Sequence, residues 1–507
     1  MPDSLPNAAE KNRPPLSPPS FRRWLADQVF VHKLNSWPGI FGLIGLVCIL
    51  ALAGAVVPPR FAFYLFSSAI LVPCLIASVF HLRFGIFLLL FVSFFLMGIK
   101  RALGNPPLGI YLDISILLML LGLAVRMARE GDWPRMTKLV TWLVIAWIGY
   151  NFLQVGNPEA VSHKAWLYTV RNLAGMMMIY FVALHAFEKI DDLKQLLALW
   201  LALSSLAAGY GLFQQLWGFQ DFELAWINQD VEYYLLTHDW GQFRIFSFLP
   251  DPSVFGILMA SSSLICLILL LTFSLKRWEI VSLLAVLALC LPAMVLSGSR
   301  TAYVAIPIGL FFFALLTLHR RVLLVVSLIL LAGIGLFFLP SENVHAERVR
   351  SAFQPWNLAS YQAREKGWQE IQPFIQSNPF GAGLGTTGIW GQRFSPHTLL
   401  AKFPPDSGYF RIAVESGWVG LLLFLSLMFA VLATGVRDYF RSIHQRARTY
   451  YPLFLTLILI MVVAHFPQQA ITQIPLNLFF YVSMAIIVKL RHLDLPEPPP
   501  VPRQQKR

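Results

Sequence analysis

The chain has 507 residues, of which 57% are hydrophobic and only 13% are charged, about half of the charged fraction of an ordinary soluble domain. Its net charge of +13 would suit nucleic-acid binding only if the basic residues clustered on a water-exposed domain, but they fall in short loops between apolar blocks. The composition therefore excludes a soluble fold and predicts no nucleic-acid partner.

A proline-rich tail precedes the first apolar block, which starts near Ile40. Because this tail lacks the short apolar region of a secretory signal, we expect no cleavable signal peptide. The other end, from Leu495 onward, has the same composition. We expect residues 1–35 to be a disordered tail, and we place a second tail at 491–507, which we expect to be disordered from Leu495 onward.

Between the tails, apolar blocks recur at roughly 17 to 22 residues, the length that a helix needs to cross a hydrocarbon core of about 30 Å. The sequence therefore predicts an all-α polytopic membrane protein with about 12–14 transmembrane helices, in membrane domains 36–339 and 416–490. Fourteen candidate spans are centred near residues 48, 71, 92, 117, 147, 180, 206, 264, 288, 310, 331, 425, 458 and 482.

Lysine and arginine are distributed unevenly between alternate loops. If both tails are cytoplasmic, that side holds 25 of the 39 Lys and Arg, and the other side holds 14, half of them in the long segment 340–415. Because long segments are translocated largely regardless of charge, the comparison of short loops is 25 to 7. The bias predicts cytoplasmic tails and two hydrophilic segments, 219–252 and 340–415, outside the cytoplasm, where we expect the chemistry.

The second hydrophilic segment carries its own pattern. Tyr361–Gln376 alternates apolar and charged residues at helical spacing, which predicts an interfacial amphipathic helix. Asn378-Pro379 should end this helix, and a glycine-rich turn follows up to Gly385. The turn is not a dinucleotide fingerprint, since no βαβ unit surrounds it. A further helix should begin near Ser407 or Gly408 and continue into the next span.

The cysteines give no sign of a disulfide framework or a zinc site. Each lies singly inside an apolar block, without a CxxC pair or a histidine at metal-ligand spacing. We therefore expect no metal and no cofactor. The four are Cys48, Cys74, Cys266 and Cys290.

Arg171, Arg244 and Arg300 lie at predicted outer ends of spans, the side that the charge bias disfavours. A guanidinium deep in hydrocarbon costs about 3 kcal/mol, so an anionic partner is expected. The planar fork of arginine suits phosphate oxygens, which makes these residues candidates for phosphate binding. The alternative is that they reach lipid headgroups or pair with Asp251 or Glu415.

Asp406 is the carboxylate of most interest. It could act as a general base on a sugar hydroxyl, or it could simply be the N-cap of the helix that follows. His397 is the competing base. Asp113 lies inside a span, where acids are often functional, while His185 and His465 are expected to be interfacial residues.

Four motifs in this order resemble the O-antigen ligase and polysaccharide polymerase family of membrane glycosyltransferases. The resemblance covers roughly residues 219–432. The motifs are Arg244 with Phe248–Ser253, Ser297–Ala302, Asn378–Gly385, and Asp406–Tyr409 with Glu415–Gly420.

The resemblance implies a metal-independent transfer of a glycan from an undecaprenyl diphosphate carrier to an acceptor glycan or glycolipid at the outer face of the bacterial inner membrane. Independently of the family, a base and a cationic leaving-group clamp on opposite sides of the anomeric carbon would invert its configuration. Arg244 and Arg300, joined by Arg171, would hold the diphosphate, and Asp406 would be the base. The supporting residues would be Asp251, Ser299, Tyr409 and Glu415. A flippase and a chain-length regulator are the protein partners that such a role implies.

Ligases of the family carry a His-Asn pair where this chain has Asp406-Ser407. This departure favours a polymerase of exopolysaccharide, capsule or O-antigen, with an O-antigen ligase as the alternative. A transporter or flippase is the alternative from another class, although the paired halves of such folds are not evident. A glycosyltransferase with acidic residues in its first outer loop and a purely structural membrane subunit are further alternatives.

Overall fold

The computed structural model describes most of the chain from Pro59 to Leu493. The predicted N-terminal tail and the predicted span near residue 48 lie outside the described residues, as does the chain after Leu493. Residue contacts divide the chain between Pro73 and Cys74, and the part from Cys74 onward is one compact unit. The described residues are 59–104, 106–130, 138–239, 241–338, 347, 350–351, 354, 359–403, 406–443 and 445–493.

The first half of the described chain is helical up to a short hairpin. In this hairpin, β1 (His238–Asp239) pairs in antiparallel fashion with β2 (Gln242–Phe243). The helices before it are α1 (Pro59–Phe80), α2 (Leu82–Leu103), α3 (Gly109–Glu130), α4 (Leu139–Leu153), a 3-10 turn (Gln154–Gly156), α5 (His163–Val170), a π-helical turn (Arg171–Gly175), α6 (Ile179–Ala186), α7 (Ile190–Trp217), α8 (Asp221–Ile227) and α9 (Val231–Thr237).

The second half continues as helices. They are α10 (Pro252–Thr272), α11 (Arg277–Leu296), α12 (Arg300–Thr317), α13 (Arg320–Phe338), α14 (Ala359–Ser377), α15 (Gly388–Phe394), a 3-10 turn (Leu400–Lys402), α16 (Gly408–Arg441), α17 (Gln445–Ala464), a 3-10 turn (Ala470–Thr472) and α18 (Leu476–Leu493).

Eleven helices among the described residues are long and apolar enough to cross a membrane. They fall on eleven of the predicted spans, and α1 and α13 occupy the spans predicted near residues 71 and 331. The prediction of an all-α polytopic membrane protein is confirmed. The span predicted near residue 180 starts earlier than expected, because α5, the π-helical turn and α6 form one apolar crossing from His163 to Ala186.

Polar contacts fix the centre of the bundle. Trp200 of α7 donates its indole N–H to Ser262 Oγ of α10 (3.1 Å), and Ser262 donates to Ser204 of α7 (2.8 Å). The Trp200 ring also stacks on Phe479 of α18, with 3.9 Å between ring centroids. Since lipid is as apolar as the helix surfaces, close packing and such hydrogen bonds are what hold spanning helices together.

Residues 218–239, 241–251, 359–403 and 406–407 lie at one end of the bundle, which we call the loop end. The amphipathic helix predicted in the second segment is confirmed as α14, which ends at Ser377, directly before Asn378-Pro379. Its Trp368 stacks on Phe410 at 4.5 Å between centroids. At the opposite end, ion pairs join Arg83 to Asp192 and Lys138 to Asp438.

Candidate active site

The first loop segment is pinned to the bundle by Arg101, at the C-terminal end of α2. Its guanidinium donates to the carbonyls of Leu249 and Pro250, both at 2.6 Å. It also lies over the rings of Trp226 and Phe246, at 4.2 and 4.5 Å from their centroids. Arg101 therefore fixes the turn that precedes α10, and with it the start of that helix.

The buried carboxylate of Glu223 ties the same segment to α7. Glu223 is 1% exposed, and its Oε1 accepts hydrogen bonds from Tyr210 (3.1 Å) and Gln214 (2.7 Å) of α7. The Gln214 side-chain oxygen accepts in turn from the backbone N–H of Ser247 (2.7 Å). Burial of these polar groups is tolerated because each finds a partner.

Arg244 lies inside this scaffold and bonds protein groups with each of its guanidinium nitrogens. Nε donates to the carbonyl of Ser297 (2.8 Å), Nη1 to the carbonyl of Leu236 (3.2 Å) and Nη2 to Ser253 Oγ (3.4 Å). Its stem covers Gly298, where a Cβ would stand 3.1 Å from Nε and where φ is +63°. Arg244 thereby shapes the turn Ser297–Arg300.

That turn leads into α12 and presents Arg300 beside the hairpin. Arg300 Nη2 lies 3.5 Å from Asp239 Oδ2, and both side chains are partly exposed, at 29% and 27%. Ser299 precedes the helix, is 1% exposed, and its hydroxyl has no hydrogen-bond partner among the described residues. The start of α12 thus combines a cation, a buried hydroxyl and the helix N-terminus, which carries partial positive charge.

Asp251 caps the neighbouring helix. Its Oδ1 accepts from the backbone N–H groups of Ser253 (2.7 Å) and Val254 (2.9 Å) at the start of α10. Burial raises the pKa of Asp251, although these N–H groups and the nearby guanidinium groups of Arg244 and Arg101 act against the rise. Its role in the structure is therefore that of a cap next to the arginines.

Arg171 forms a second group, at the π-helical turn after α5. Its Nε lies 3.3 Å from Asp113 Oδ2, so the intramembrane acid of α3 is the partner of this arginine. The guanidinium also lies 5.9 Å from the ring centroid of Tyr168, which stacks on Trp390 of α15.

The glycine-rich segment docks on a kink in α16. Gly417 breaks the helix with φ +69° and ψ 178°, and a Cβ there would collide with the carbonyl of Pro379. A Cβ on Gly381, which also has positive φ, would collide with the backbone at Glu415 and Gly417. The backbone N–H of Gly383 donates to the Glu415 carbonyl (3.0 Å). The glycines are therefore required for close backbone approach.

Glu415 is the buried anion of this second group. It is 1% exposed, and its Oε1 accepts from the Thr387 hydroxyl (2.6 Å) and from Arg411 Nε (3.1 Å). Arg411 also donates to the side-chain oxygen of Gln469 (2.8 Å). The predicted supporting residue Glu415 thus orients an arginine that sequence reasoning missed.

Asp406 is exposed and lies one residue outside the cap of α16. The interpretation of Asp406 as the N-cap is wrong, because Ser407 takes that place and accepts from the backbone N–H of Phe410 (3.5 Å). The expected start of the helix near Ser407 or Gly408 is confirmed. Tyr409 turns inward and donates its hydroxyl to the Val462 carbonyl (2.7 Å).

His465 corrects another expectation. It was expected at the interface, but it is fully buried, and its ring lies against Gly408, where any Cβ would collide with it. Its Nδ1 accepts from the backbone N–H of Ile471 (3.3 Å). Burial lowers the pKa of His465 to about 3, and the charge of Arg411 acts in the same direction. His397, by contrast, is exposed in a turn.

The structure gathers the predicted residues into two groups at the loop end. One holds Arg244, Arg300, Asp251 and Ser299, and the other holds Asp406, Tyr409 and Glu415. The second group adjoins Arg171, because Asn172 donates its side-chain amide to the Thr472 carbonyl (3.2 Å), next to the turn that bears Gln469.

Sequence reasoning missed three residues that build these groups. Arg101 could have been suspected, since it too is a cation at a predicted outer span end. Asp239 and Arg411 carry no local signal that separates them from surface charges. The residues are Arg101, Asp239 and Arg411.

Residues 283–425 match a family model described as O-Antigen ligase. The match includes Ser299, Arg300, Asp406 and the intervening glycine-rich segment, whereas Arg171 and Arg244 precede it. No curated protein matches the chain. Among the described residues, no group of three or more His, Cys, Asp or Glu side chains could hold a metal ion.

Proposed function

We propose that this multi-pass membrane protein, whose residues 283–425 match a family model described as O-Antigen ligase, belongs to the O-antigen ligase and polysaccharide polymerase family and carries out one specific reaction. It transfers a glycan from undecaprenyl diphosphate to the hydroxyl of an acceptor sugar and so lengthens a polysaccharide outside the cytoplasm. The observation that carries this proposal is the anion-binding character of the start of α12, inside the matched segment.

The leaving group of this reaction is a diphosphate, and its developing charge must be stabilised. Arg300 supplies a guanidinium, Ser299 supplies a buried hydroxyl, and the N-terminus of α12 supplies backbone N–H groups. Phosphate oxygens accept hydrogen bonds from all three kinds of donor. We assign the diphosphate to this place.

Arg244 also binds the diphosphate in this proposal, and it shapes the site. Because its nitrogens hold the carbonyls of Leu236 and Ser297, it keeps the turn in the shape that presents Arg300. Arg171, paired with Asp113, is the third cation assigned to the anionic carrier.

The attacking hydroxyl must lose its proton as the new bond forms. In the proposed step the acceptor oxygen attacks the anomeric carbon, the bond from that carbon to the diphosphate oxygen breaks, and its electron pair stays on the diphosphate. The hydroxyl proton passes to the Asp406 carboxylate. Attack opposite the leaving group inverts the configuration at the anomeric carbon.

Glu415 and Tyr409 stabilise the start of α16, next to this base. Glu415 orients Arg411, and Tyr409 ties the first turn of α16 to α17 through the Val462 carbonyl. Both contacts fix the helix start that carries Asp406.

Ligation of the glycan to lipid A-core is the second candidate, favoured by the description of the matching family. The Asp406-Ser407 pair in place of His-Asn favours polymerisation. The proposed setting is the bacterial inner membrane with both termini cytoplasmic, where a flippase would deliver the donor and a chain-length regulator would limit the product.

The test uses purified protein in liposomes with an undecaprenyl diphosphate oligosaccharide. A ladder of longer lipid-linked glycans is expected from the donor alone, and the Arg300→Gln variant should give none. If glycan appears only on added lipid A-core, the protein is a ligase. Folded, reconstituted protein that gives neither product would contradict a glycan-transfer function.

A further inference from the structure

A carboxylate lies against the arginine to which the diphosphate is assigned. Arg300 Nη2, at the start of α12, is 3.5 Å from Asp239 Oδ2 of β1. The two side chains are 29% and 27% exposed, so a ligand can reach both. Because like charges repel, a carboxylate at this place lowers the affinity of the site for any anion. Binding of the donor alone does not account for its presence.

The hairpin holds Asp239 in position. Asp239 pairs with Gln242 across the two strands. The backbone N–H of Arg244 donates to the carbonyl of Thr237 (2.8 Å), and its Nη1 donates to the carbonyl of Leu236 (3.2 Å). Thr237 is fully buried. Asp239 is therefore a fixed charge beside Arg300, unlike an acid on a freely moving surface side chain.

The proposed reaction changes the charge of the ligand at this position. In the donor, the phosphate next to the sugar is a diester with a single ionised oxygen. When its bond to the anomeric carbon breaks, the electron pair stays on this phosphate, which becomes a terminal group, and the acceptor's proton goes to Asp406. A terminal phosphate carries a charge of about −1.5 to −2 at pH 7. The product, undecaprenyl diphosphate, is therefore more negative than the donor.

We propose that Asp239 discriminates between donor and product, and so promotes the release of undecaprenyl diphosphate after each transfer. Its repulsion grows with the charge of the ligand, so it weakens the binding of the product more than the binding of the donor. Asp239 thereby limits product inhibition in a reaction that must repeat for every added unit. This role rests on the proposed function, because it requires the diphosphate at Arg300.

Bond formation itself does not need Asp239. Negative charge develops on the leaving diphosphate in the transition state, and a neighbouring carboxylate opposes this charge. Removing the carboxylate should therefore leave the first turnover at least as fast as in the wild type, while product release becomes slower. If Asp239 served only to orient Arg300, its removal would have the opposite signature, with a slower first turnover and weaker binding of both lipids.

The test measures the binding of two lipids to reconstituted protein: sugar-free undecaprenyl diphosphate, and a donor whose glycan lacks the acceptor hydroxyl and so cannot react. Asp239→Asn should tighten binding of the diphosphate about fivefold and of the donor about twofold, the scale of a partly exposed ion pair. Asp239→Glu keeps the charge and should keep the wild-type ratio of the two affinities. Asp221→Asn, which removes an exposed acid of the same loop segment, is the matched control and should also keep it.

Turnover gives an independent readout of the same role. With reactive donor, Asp239→Asn should complete its first turnover at least as fast as the wild type. Added undecaprenyl diphosphate should inhibit this variant at a concentration about fivefold lower.

An unchanged ratio of the two affinities in Asp239→Asn, or weaker binding of both lipids, would overturn the role of Asp239. The proposed function would still stand if the wild type transfers glycan. Wild-type protein that neither binds undecaprenyl diphosphate nor transfers glycan would contradict the proposed function instead. If Asp239→Asn does not fold, Asp239→Ser removes the same charge and decides in its place.

Discussion

Asp406 is exposed at the loop end and does not cap α16, so its carboxylate can be changed without removing a helix cap. We expect Asp406→Asn to keep the melting temperature close to that of the wild type. It should lower glycan transfer by about 10²-fold or more, the low end of what a positioned base contributes. Product formation from a lipid diphosphate glycan, measured beside thermal melting, checks both.

Two controls sharpen this measurement. Ser407→Ala removes the true cap and should cost about 1 kcal/mol of stability while it leaves a base in place. Asp406→His should recover part of the rate, since family ligases carry histidine at this position. Normal transfer by the Asn variant would show that Asp406 is not the base, and His397→Gln would then be tested.

Substitution by lysine would remove different contacts at Arg244 and at Arg300. Arg300→Lys keeps the charge but not the fork, so we expect most turnover to be lost with little change in melting temperature. Arg244→Lys should also lose turnover, and because Arg244 bonds two carbonyls it should cost about 1.5–3 kcal/mol of stability for each bond that lysine cannot replace. Wild-type rates in both variants would show that these arginines do not bind the diphosphate.

His465 predicts a pH dependence of stability. Its pKa in the folded protein, about 3, lies below the value of about 6.5 in an unfolded chain, so the unfolded chain takes up the proton first as the pH falls. The stability that neutral His465 contributes is complete above pH 6.5 and is lost toward pH 3, by up to about 1.4 kcal/mol per pH unit. Melting temperatures between pH 7 and pH 4.5 should therefore fall less steeply for His465→Gln than for the wild type. Parallel curves of melting temperature against pH for the two proteins would show that another group causes the loss of stability in acid.

Among the helices, α16 needs its kink at Gly417 in order to pack against the glycine-rich segment. Gly417 has a φ/ψ combination that is essentially restricted to glycine and costs other residues about 1–3 kcal/mol. Gly417→Ala should add the collision with Pro379, detach the glycine-rich segment, and lower stability by about 2 kcal/mol or more. Transfer activity should fall as well, since Glu415 and Arg411 lie on the same turns.

The matched control is Gly149→Ala in α4, where a Cβ would meet no atom within 4 Å. Alanine favours a helix over glycine by about 1 kcal/mol, so this variant should be as stable as the wild type or more so. Equal melting temperatures for the two alanine variants would contradict a role for the kink.

For the whole molecule, the charge count predicts which end faces outward. In a cysteine-free background, Asp221→Cys and Gln369→Cys at the loop end should react with an impermeant maleimide in intact spheroplasts. Lys194→Cys, exposed at the opposite end, should react only after lysis. The reverse pattern would place the loop end in the cytoplasm and remove the basis for an extracytoplasmic reaction. Gln369 is the better probe than Trp368, whose ring stacks on Phe410.

The sequence by itself determined the membrane architecture. A span needs about 20 consecutive apolar residues, and such a block is a local property that no distant contact can alter. The amphipathic helix α14, its end at Asn378-Pro379 and the start of α16 depend equally on neighbouring residues, and all three were predicted. The motif residues of the candidate site could also be named, because they occur in a fixed order along the chain.

Only the tertiary structure decided how those residues are held. Asp239 pairs with Arg300 across 61 positions of sequence, and Arg101 binds carbonyls nearly 150 positions away. His465 meets Gly408 because α17 and α16 pack together at the loop end. Charge and shape complementarity of this kind depends on which helices become neighbours, which a single sequence does not encode locally.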